Sequence, residues 1–234
     1  MPVSDKLSVV FLATLTTGQW QANCYVVAAP GRAECVIIDP GQDAAGAVRE
    51  VLAEHQLTPK ALLATHGHFD HIASAAEIAD EYNVPLWIHS ADRHLLTEPA
   101  AGLSADAAAF LKQVLHTPMV EPARVEEFDG ITELTIARLT FSVTHAPGHT
   151  EGSVLLGLDY TAPQQPITRI VFTGDVVFAG SVGRTDLPGG DHARLLQSID
   201  DLMTRFDGDT RVFPGHMGPT TLAAESASNP FLRA

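Results

Sequence analysis

The feature that most constrains this chain is a cluster of potential metal ligands at residues 65–71, which read Thr-His-Gly-His-Phe-Asp-His. Three imidazoles and one carboxylate lie within six residues, directly after an apolar run at residues 61–64. The apolar run predicts a buried strand, and the alanine-rich segment at residues 72–82 predicts a helix. The ligands therefore lie on a strand-to-helix turn at the carboxyl end of a strand, where open α/β sheets bind their ligands.

The spacing within the cluster suits two adjacent metal ions. Neutral imidazoles and carboxylates are the N and O donors that Zn²⁺ and Fe²⁺ prefer. His66 and His68 alternate with Gly67, so both imidazoles point the same way in an extended segment. Asp70 and His71 follow at the corner, where they can face a second point close by. The alternative is a histidine-rich turn in which Asp70 only caps the following helix.

Three further polar residues, His149, Asp175 and His216, follow other apolar segments. Together with the cluster they form two predicted sets of ligands and one shared carboxylate: His66, His68 and His149 in the first set, Asp70, His71 and His216 in the second set, and Asp175 as the bridge. Ligand sets that leave positions open for water are typical of catalytic sites, whereas structural sites are closed.

The composition is that of a globular enzyme and argues against two classes of partner. Apolar residues make up 45% of the 234 residues and charged residues 18%, which is ordinary for a folded domain. Fourteen basic residues against 28 acidic ones give a formal net charge of −14, which repels nucleic acid and anionic membrane surfaces. We therefore expect neither as a partner.

The two cysteines and the first residues of the chain indicate the cellular compartment in which the protein is expected. Cys24 and Cys35 lie in apolar runs without the spacing of a disulfide framework or a metal finger, which favours buried thiols in a reducing compartment. The first residues lack the charged start and apolar segment of a signal peptide. No run approaches the roughly 18 apolar residues of a membrane span. We predict a cytoplasmic protein.

The order of the apolar runs predicts the fold class. Strands are predicted at residues 7–15, 22–29, 35–38, 61–64, 84–89, 125–128, 134–137, 139–144, 153–158, 169–172 and 211–213. Helices are predicted at residues 44–55, 72–82 and 193–205, with short helices in 91–118. Both halves contain several strands, then a strand, a ligand-rich loop and a helix. This α/β pattern predicts an αββα sandwich of two mixed β-sheets with helices on the outer faces, as a single domain over residues 1–234.

Two residues outside the ligand sets have two interpretations each. Asp39, at the end of a predicted strand, either accepts a hydrogen bond from a ligand imidazole or starts a turn. His145 either orients a ligand or makes an ordinary hydrogen bond. The other histidines are interpreted as structural or exposed: His55, His89, His94, His116 and His192.

The ligand pattern resembles that of a known family. The segment His66-x-His68-x-Asp70-His71, followed by His149, Asp175 and His216, resembles the full ligand set of the metallo-β-lactamase superfamily. The resemblance implies an αββα sandwich with the metals at the mouth between its two sheets. Residues 180–186, Gly-Ser-Val-Gly-Arg-Thr-Asp, and 229–232, Asn-Pro-Phe-Leu, are similar to the short glyoxalase II-like thioester hydrolases within that superfamily.

The resemblance implies a metal-dependent hydrolase of a small-molecule thioester that uses a metal-bound hydroxide. Two divalent metal ions are expected, with zinc as the expected metal and iron or manganese as alternatives. Asp70 is the expected catalytic residue, because it can accept a hydrogen bond from the hydroxide and aim it. Arg184 either binds a carboxylate of the substrate or forms a salt bridge with Asp186, and these alternatives have equal weight.

Two other functions remain open. Persulfide dioxygenases share the fold and a similar Gly-Arg-Thr-Asp loop, and they bind one iron ion through two histidines and a carboxylate. The corresponding residues here are His66, His149 and Asp175. A metal-binding protein without turnover is the third possibility, but it does not account for ligand sets with open positions. The acyl group, the thiol and the oligomeric state are left open.

Overall fold

Two six-stranded β-sheets form the centre of the structure, a computed structural model that describes residues 10–115, 117–159 and 169–232. The first sheet contains β1 (Phe11–Thr17), β2 (Ala22–Ala28), β3 (Glu34–Ile38), β4 (Thr58–Leu63), β5 (Leu86–Ile88) and β6 (Val125–Glu127). The helices of this half are α1 (Ala44–Glu54), α2 (Phe69–Ile72), α3 (Ala75–Tyr82), α4 (Ser90–Arg93) and α5 (Ala105–Val114). Two 3₁₀ turns, His94–Leu96 and Pro99–Gly102, lie between α4 and α5.

The second half of the chain forms the other sheet. Its strands are β7 (Glu133–Ile136), β8 (Leu139–His145), β9 (Val154–Asp159), β10 (Arg169–Gly174), the separate hairpin of β11 (Val177–Phe178) and β12 (Ser181–Val182), then β13 (Arg211–Pro214) and β14 (Thr220–Thr221). Its helices are α6 (His192–Arg205) and α7 (Leu222–Ser228).

Both sheets are mixed. The first has the order β1-β2-β3-β4-β5-β6, in which β1 to β3 are antiparallel and β3 to β6 are parallel. The second has the order β14-β13-β10-β9-β8-β7, in which only β10 and β13 are parallel. A parallel pair requires a long crossover, and α1, α3 and α6 lie in three of these crossovers. The carboxyl ends of β4, β10 and β13 consequently meet at one edge of the molecule.

Three hydrophobic clusters place the sheets between helices. The central cluster contains apolar residues of both sheets, among them Tyr25, Ile38, Leu63, Phe141 and Phe172. The outer face of the first sheet packs on α1 and α3, and that of the second sheet packs on α6 and α7. The layer order is therefore helix, sheet, sheet, helix. The predicted αββα sandwich of two mixed sheets is confirmed.

The helix predicted at residues 72–82 is wrong as one continuous element, because α2 ends at Ile72 and α3 begins at Ala75. The intervening Ser74 donates its backbone N–H to the carbonyl of Pro40 (3.0 Å), and its hydroxyl accepts a hydrogen bond from the N–H of Ala44 (3.2 Å). These bonds tie the chain to the loop after β3 and divide the helix, which the alanine-rich sequence alone does not indicate.

The predicted elements differ from the structure in several further places. β1 begins at Phe11, and residues 7–9 of the predicted strand lie outside the described residues, as does His116. The hairpin of β11 and β12, the short β14 and α7 were not predicted. Each is too short for periodicity to reveal it. None of the described helices is long and apolar enough to span a membrane.

The packing between the sheets yields a test of stability. Phe172 is fully buried and its ring lies 5.1 Å from that of Tyr25 and 5.7 Å from that of Phe213, between centroids. We expect Phe172→Ala to lower the free energy of unfolding by about 3 to 5 kcal/mol, because it leaves a cavity between the sheets. Phe231→Ala makes the same change at an exposed ring and should alter stability by less than about 0.5 kcal/mol. Equal effects of the two variants in denaturant unfolding would contradict this assignment of the core.

Candidate metal centre

The loop after β4 is held in place by a buried carboxylate. Asp39, just after β3, accepts hydrogen bonds from the backbone N–H of Thr65 (2.7 Å) and from its hydroxyl (2.6 Å). Its Oδ2 also lies 3.2 Å from Nδ1 of His71. Of the two interpretations of Asp39, the hydrogen bond to a ligand imidazole is therefore the one observed. Such a bond fixes the orientation of the ring and directs its other nitrogen away from the carboxylate.

The first predicted set of ligands converges. Nδ1 of His68 lies 2.8 Å from Nε2 of His149, and the ring of His66 lies 5.0 Å from that of His68 and 4.8 Å from that of His149. One ligand atom from each residue lies within 4.8 Å of the others. All three residues are buried. Nε2 of His66 has no hydrogen-bond partner among the described residues, which is unusual for a buried polar atom and suits a metal ligand.

The second predicted set has the spacing of ligands around one small cation. Oδ2 of Asp70 lies 3.6 Å from Nε2 of His71 and 3.3 Å from Nε2 of His216. The two imidazole nitrogens lie 3.3 Å apart. Tetrahedral zinc ligands at their usual bond lengths are separated by about 3.3 Å. These distances fit a metal without any rearrangement of the three side chains.

Asp175 lies between the two sets. Its Oδ2 is 3.5 Å from Nε2 of His149 in the first set and 3.5 Å from Nε2 of His216 in the second. Its Oδ1 is buried, lies 3.4 Å from Nε2 of His71 and has no hydrogen bond within the described part of the chain. The structure thus brings all seven predicted ligands together, and the position of Asp175 suits a bridging carboxylate.

Burial keeps the imidazoles of the first set neutral. It lowers the pKa of His66 well below its usual value, and the neighbouring imidazoles add to this effect. Burial likewise lowers the pKa of His68 and of His149 to about 4. Because a metal binds the unprotonated form of histidine, these three side chains are already in the state that coordination requires.

The second set is more polar. Burial alone would lower the pKa of His71, but the carboxylates of Asp70 and Asp175 outweigh it and raise that pKa to about 10. Burial alone would raise the pKa of Asp70, but the positive charges of His71 and His216 lower it. Burial raises the pKa of Asp175. The carboxylates around His71 thus favour a positive charge at the second set.

The turn that carries His216 is bonded to the other sheet. The side-chain amide of Asn23, in β2, donates to the carbonyls of Pro214 (3.0 Å) and Met217 (2.8 Å). The hydroxyl of Tyr25, in the same strand, donates to the carbonyl of Pro214 as well (2.5 Å). Neither residue was predicted to belong to the site. The available signal was a polar side chain inside an apolar strand, since buried polar groups need partners.

A small cavity adjoins the two ligand sets. Its volume is about 170 Å³. Its lining contains five of the seven predicted ligands, together with Arg184, Ser104 and the apolar residues Trp20, Phe69, Leu103, Ala107 and Leu187; the five are His68, Asp70, His149, Asp175 and His216. The ligands thus face a space that a small molecule can enter. A largely apolar wall with a few converging polar groups is typical of small-molecule sites.

Arg184 forms the ion pair that was one of its two interpretations. Its guanidinium donates to both carboxylate oxygens of Asp186, at 2.7 Å each, although both side chains are exposed. It also borders the cavity, so the binding of a substrate carboxylate stays a prediction. Its backbone carbonyl accepts a hydrogen bond from Nδ1 of His149 (2.8 Å), a positioning contact that the sequence did not indicate.

His145 makes an ordinary hydrogen bond. Its Nε2 donates to the carbonyl of Glu151 (2.8 Å), and its ring stacks on that of His89 at 4.1 Å between centroids. It contacts none of the seven ligands among the described residues. The interpretation of His145 as a residue that directly orients a ligand is therefore wrong.

Two glycines in the loop after β13 provide a test of the site. A Cβ at Gly215 would collide with Oδ1 of Asp175 and lie 2.8 Å from Cε1 of His71, whereas a Cβ at Gly218 would meet open space. We expect Gly215→Ala to reduce bound metal at least severalfold while Gly218→Ala retains it. Metal analysis of both variants after identical loading measures this. Full metal content in Gly215→Ala would contradict the geometry of the second set.

Comparisons with known proteins agree with the fold. The sequence pattern of the metallo-β-lactamase superfamily matches residues 17–216. YqgX of Bacillus subtilis, named a probable metallo-hydrolase, is 33% identical over 219 residues, covering 93% of this chain and 95% of that protein. The hydroxyacylglutathione hydrolase GloC of Haemophilus influenzae is 31% identical over 218 residues, covering 91% and 93%.

Solved structures give the same result. The BLEG-1 B3 metallo-β-lactamase has a TM-score of 0.79 at 36% identity, covering 96% of this chain and 100% of that chain. TTHA1623 in a di-iron-bound form has a TM-score of 0.73 at 31% identity, covering 94% and 100%. ETHE1 from Myxococcus xanthus has a TM-score of 0.70 at 24% identity, covering 94% and 83%, and shows the fold alone. With its fold, its ligand geometry and the match over residues 17–216, the chain belongs to the metallo-β-lactamase superfamily.

Proposed function

We propose that this protein is a metal-dependent hydrolase of a small-molecule thioester, similar in activity to glyoxalase II. The observation that carries the proposal is the pair of ligand sets at metal-ligand spacing with the Asp175 carboxylate between them, beside a cavity of about 170 Å³. Two complete sets favour a pair of divalent ions, for which we propose zinc. When bound there, such ions supply Lewis acidity and activate water for attack.

Asp70 has the position of a residue that orients the attacking water. Its carboxylate lines the cavity and is only partly buried, with 18% of its side chain exposed. The nearby imidazole of His71 favours its ionised form and so lowers its pKa against the effect of burial, and an ionised carboxylate accepts strong hydrogen bonds. Water adds to the thioester carbonyl carbon and the C–S bond breaks, giving a carboxylic acid and a thiol.

The cavity wall suggests which part of the substrate lies where. Trp20, Phe69 and Leu103 provide apolar surface beside the ligands, which suits the hydrocarbon portion of an acyl or thiol group. Arg184 is the cationic side chain on this lining. Its planar guanidinium matches a carboxylate, and its exposed position allows exchange of Asp186 for a carboxylate of the substrate.

The similarity to GloC, named a hydroxyacylglutathione hydrolase, supports the choice of thioesters. The rival activity, a persulfide dioxygenase with one iron ion at His66, His149 and Asp175, requires only part of the ligands. The spacing of Asp70, His71 and His216 suits a second metal, but the dioxygenases retain these ligands too, so the number of metals bound must be measured to separate the two activities. A metal-binding protein without turnover does not account for the cavity beside the ligands.

The decisive measurement combines metal analysis with two assays on the purified protein. We expect about two equivalents of zinc and release of free thiol from S-lactoylglutathione or a simpler thioester. One equivalent of iron with oxygen uptake on glutathione persulfide would instead establish the dioxygenase. Metal binding without either activity would favour the non-catalytic alternative.

Matched histidine variants test whether the metal centre performs the reaction. His66→Ala should abolish turnover and lower the metal content, because it removes a ligand of the first set. His192→Ala removes an exposed histidine at the start of α6 and should leave both unchanged. Normal thioester hydrolysis in His66→Ala would contradict the assignment of the metal centre as the catalytic site.

Arg184 is tested by the kinetics of an acidic thioester. Arg184→Ala should raise KM several-fold with little change in kcat, because it removes binding shared by the ground state and the transition state. Arg169→Ala is the matched control, since Arg169 also pairs with a carboxylate, Asp159 (2.9 Å), but lies outside this cavity. An unchanged KM in Arg184→Ala would leave the ion pair with Asp186 as the role of Arg184.

A further inference from the structure

A second buried carboxylate, Asp92, lies behind the first set of ligands. It belongs to the short helix α4, and 2% of its surface is exposed. Its Oδ2 accepts hydrogen bonds from the backbone N–H of Gly67 (2.8 Å) and the hydroxyl of Thr150 (2.7 Å). Its Oδ1 accepts one from the backbone N–H of Gly152 (2.7 Å). Both oxygens of the carboxylate are therefore engaged.

The donors to Asp92 belong to the two loops that carry the first set. Gly67 lies between His66 and His68 in the loop after β4, and Thr150 directly follows His149 in the loop between β8 and β9. These loops come from different sheets. One side chain thus bridges the backbone beside all three imidazoles of the set.

The packing around Asp92 leaves no space for adjustment. A Cβ at Gly67 would lie 2.9 Å from Cβ of Asp92, and a Cβ at Gly152 would lie 2.7 Å from its Oδ1. Real Cβ atoms essentially never approach other atoms so closely. The two backbone N–H groups therefore reach the carboxylate only because residues 67 and 152 are glycines.

The third observation concerns the partners of this buried carboxylate. Its three hydrogen-bond donors, two peptide N–H groups and a hydroxyl, are all neutral. Burying a carboxylate with only neutral partners costs free energy, and a purely structural bridge could be built with a neutral side chain. A negative charge behind the ligand backbone is favourable when the ligands hold a cation.

We propose that Asp92 is a positioning residue for the first set, holding His66, His68 and His149 at the separation that one metal ion requires. The proposal rests on the metal centre proposed above, but not on the identity of the substrate. Asp92 acts through the backbone of the two loops and does not contact the reacting atoms.

The test measures metal affinity and ligand geometry in place of activity. Asp92→Asn retains the size of the side chain but exchanges one acceptor oxygen for a donor that faces the existing donors. We expect it to weaken binding of one of two zinc equivalents by about 10- to 100-fold, measured by competition with a chromophoric chelator. The visible absorption bands of the Co²⁺-loaded variant should also change, since they report ligand geometry.

The matched control is Asp129→Asn. Asp129 anchors the start of the same helix, accepting hydrogen bonds from the backbone N–H (3.0 Å) and hydroxyl (2.5 Å) of Ser90, but it is exposed and does not contact the ligand loops. The Asp129→Asn variant should bind both zinc equivalents as tightly as the wild-type protein does. Equal losses of affinity in the two variants would assign the effect to α4 as a whole and overturn the positioning role.

The remaining outcomes also decide the question. Wild-type zinc affinity and an unchanged Co²⁺ spectrum in Asp92→Asn would overturn the proposal. If that variant does not fold, Thr150→Val, which removes one of the three donors at a similar volume, must show a smaller change in the same direction, and an unaltered affinity would refute the role. Failure of the wild-type protein to bind metal would overturn the metal centre itself, whereas failure to hydrolyse thioesters would not affect this inference.

Discussion

The packing of one sheet on the other is the constraint on which the metal centre depends. The first sheet and its loop supply His66, His68, Asp70 and His71, and the second sheet supplies His149, Asp175 and His216. Both ligand sets draw residues from the two sheets, so they are complete only if the central apolar core holds the sheets at a fixed separation. Because a packed core resists compression, it holds the strands in fixed positions. The distances between the ligand atoms that follow these strands are therefore fixed as well. The core thus determines function although the apolar residues described for it are not among the seven ligands.

Hydrogen bonds around the ligands refine the geometry that the core determines. Asp39 fixes the loop after β4, Asn23 holds the turn that carries His216, and the backbone carbonyl of Arg184 holds His149. Each engages a ligand or the backbone beside it, and each comes from a different part of the chain. In this arrangement the affinity for metal is a property of an extended hydrogen-bond network as well as of the seven ligands.

The ligand residues and the layer order could be predicted from the sequence, whereas the network around them could not. His66, His68, Asp70 and His71 are conspicuous because they are adjacent, and apolar periodicity reports the burial of strands. Asp92 gives no such signal, and Asn23 gives only that of one polar residue in an apolar strand, because the partners of both lie far away along the chain. The division of the helix at Ser74 could not be predicted for the same reason, because a contact with the loop after β3 divides the helix. Local pattern reveals residue type and period, and tertiary contacts decide the rest.

The clamp between Asn23 and the turn at residues 214–217 has a consequence for the order of folding. Its partners are separated by 191 and 194 positions in the chain, so it forms only after both sheets exist and have docked. Contacts of such long range are slow to form, because the closure of a long loop is entropically costly. During synthesis the loop after β4 emerges long before His216. A metal ion captured before this contact forms would therefore be held by an incomplete set of ligands, which His216 would complete only when the two sheets dock.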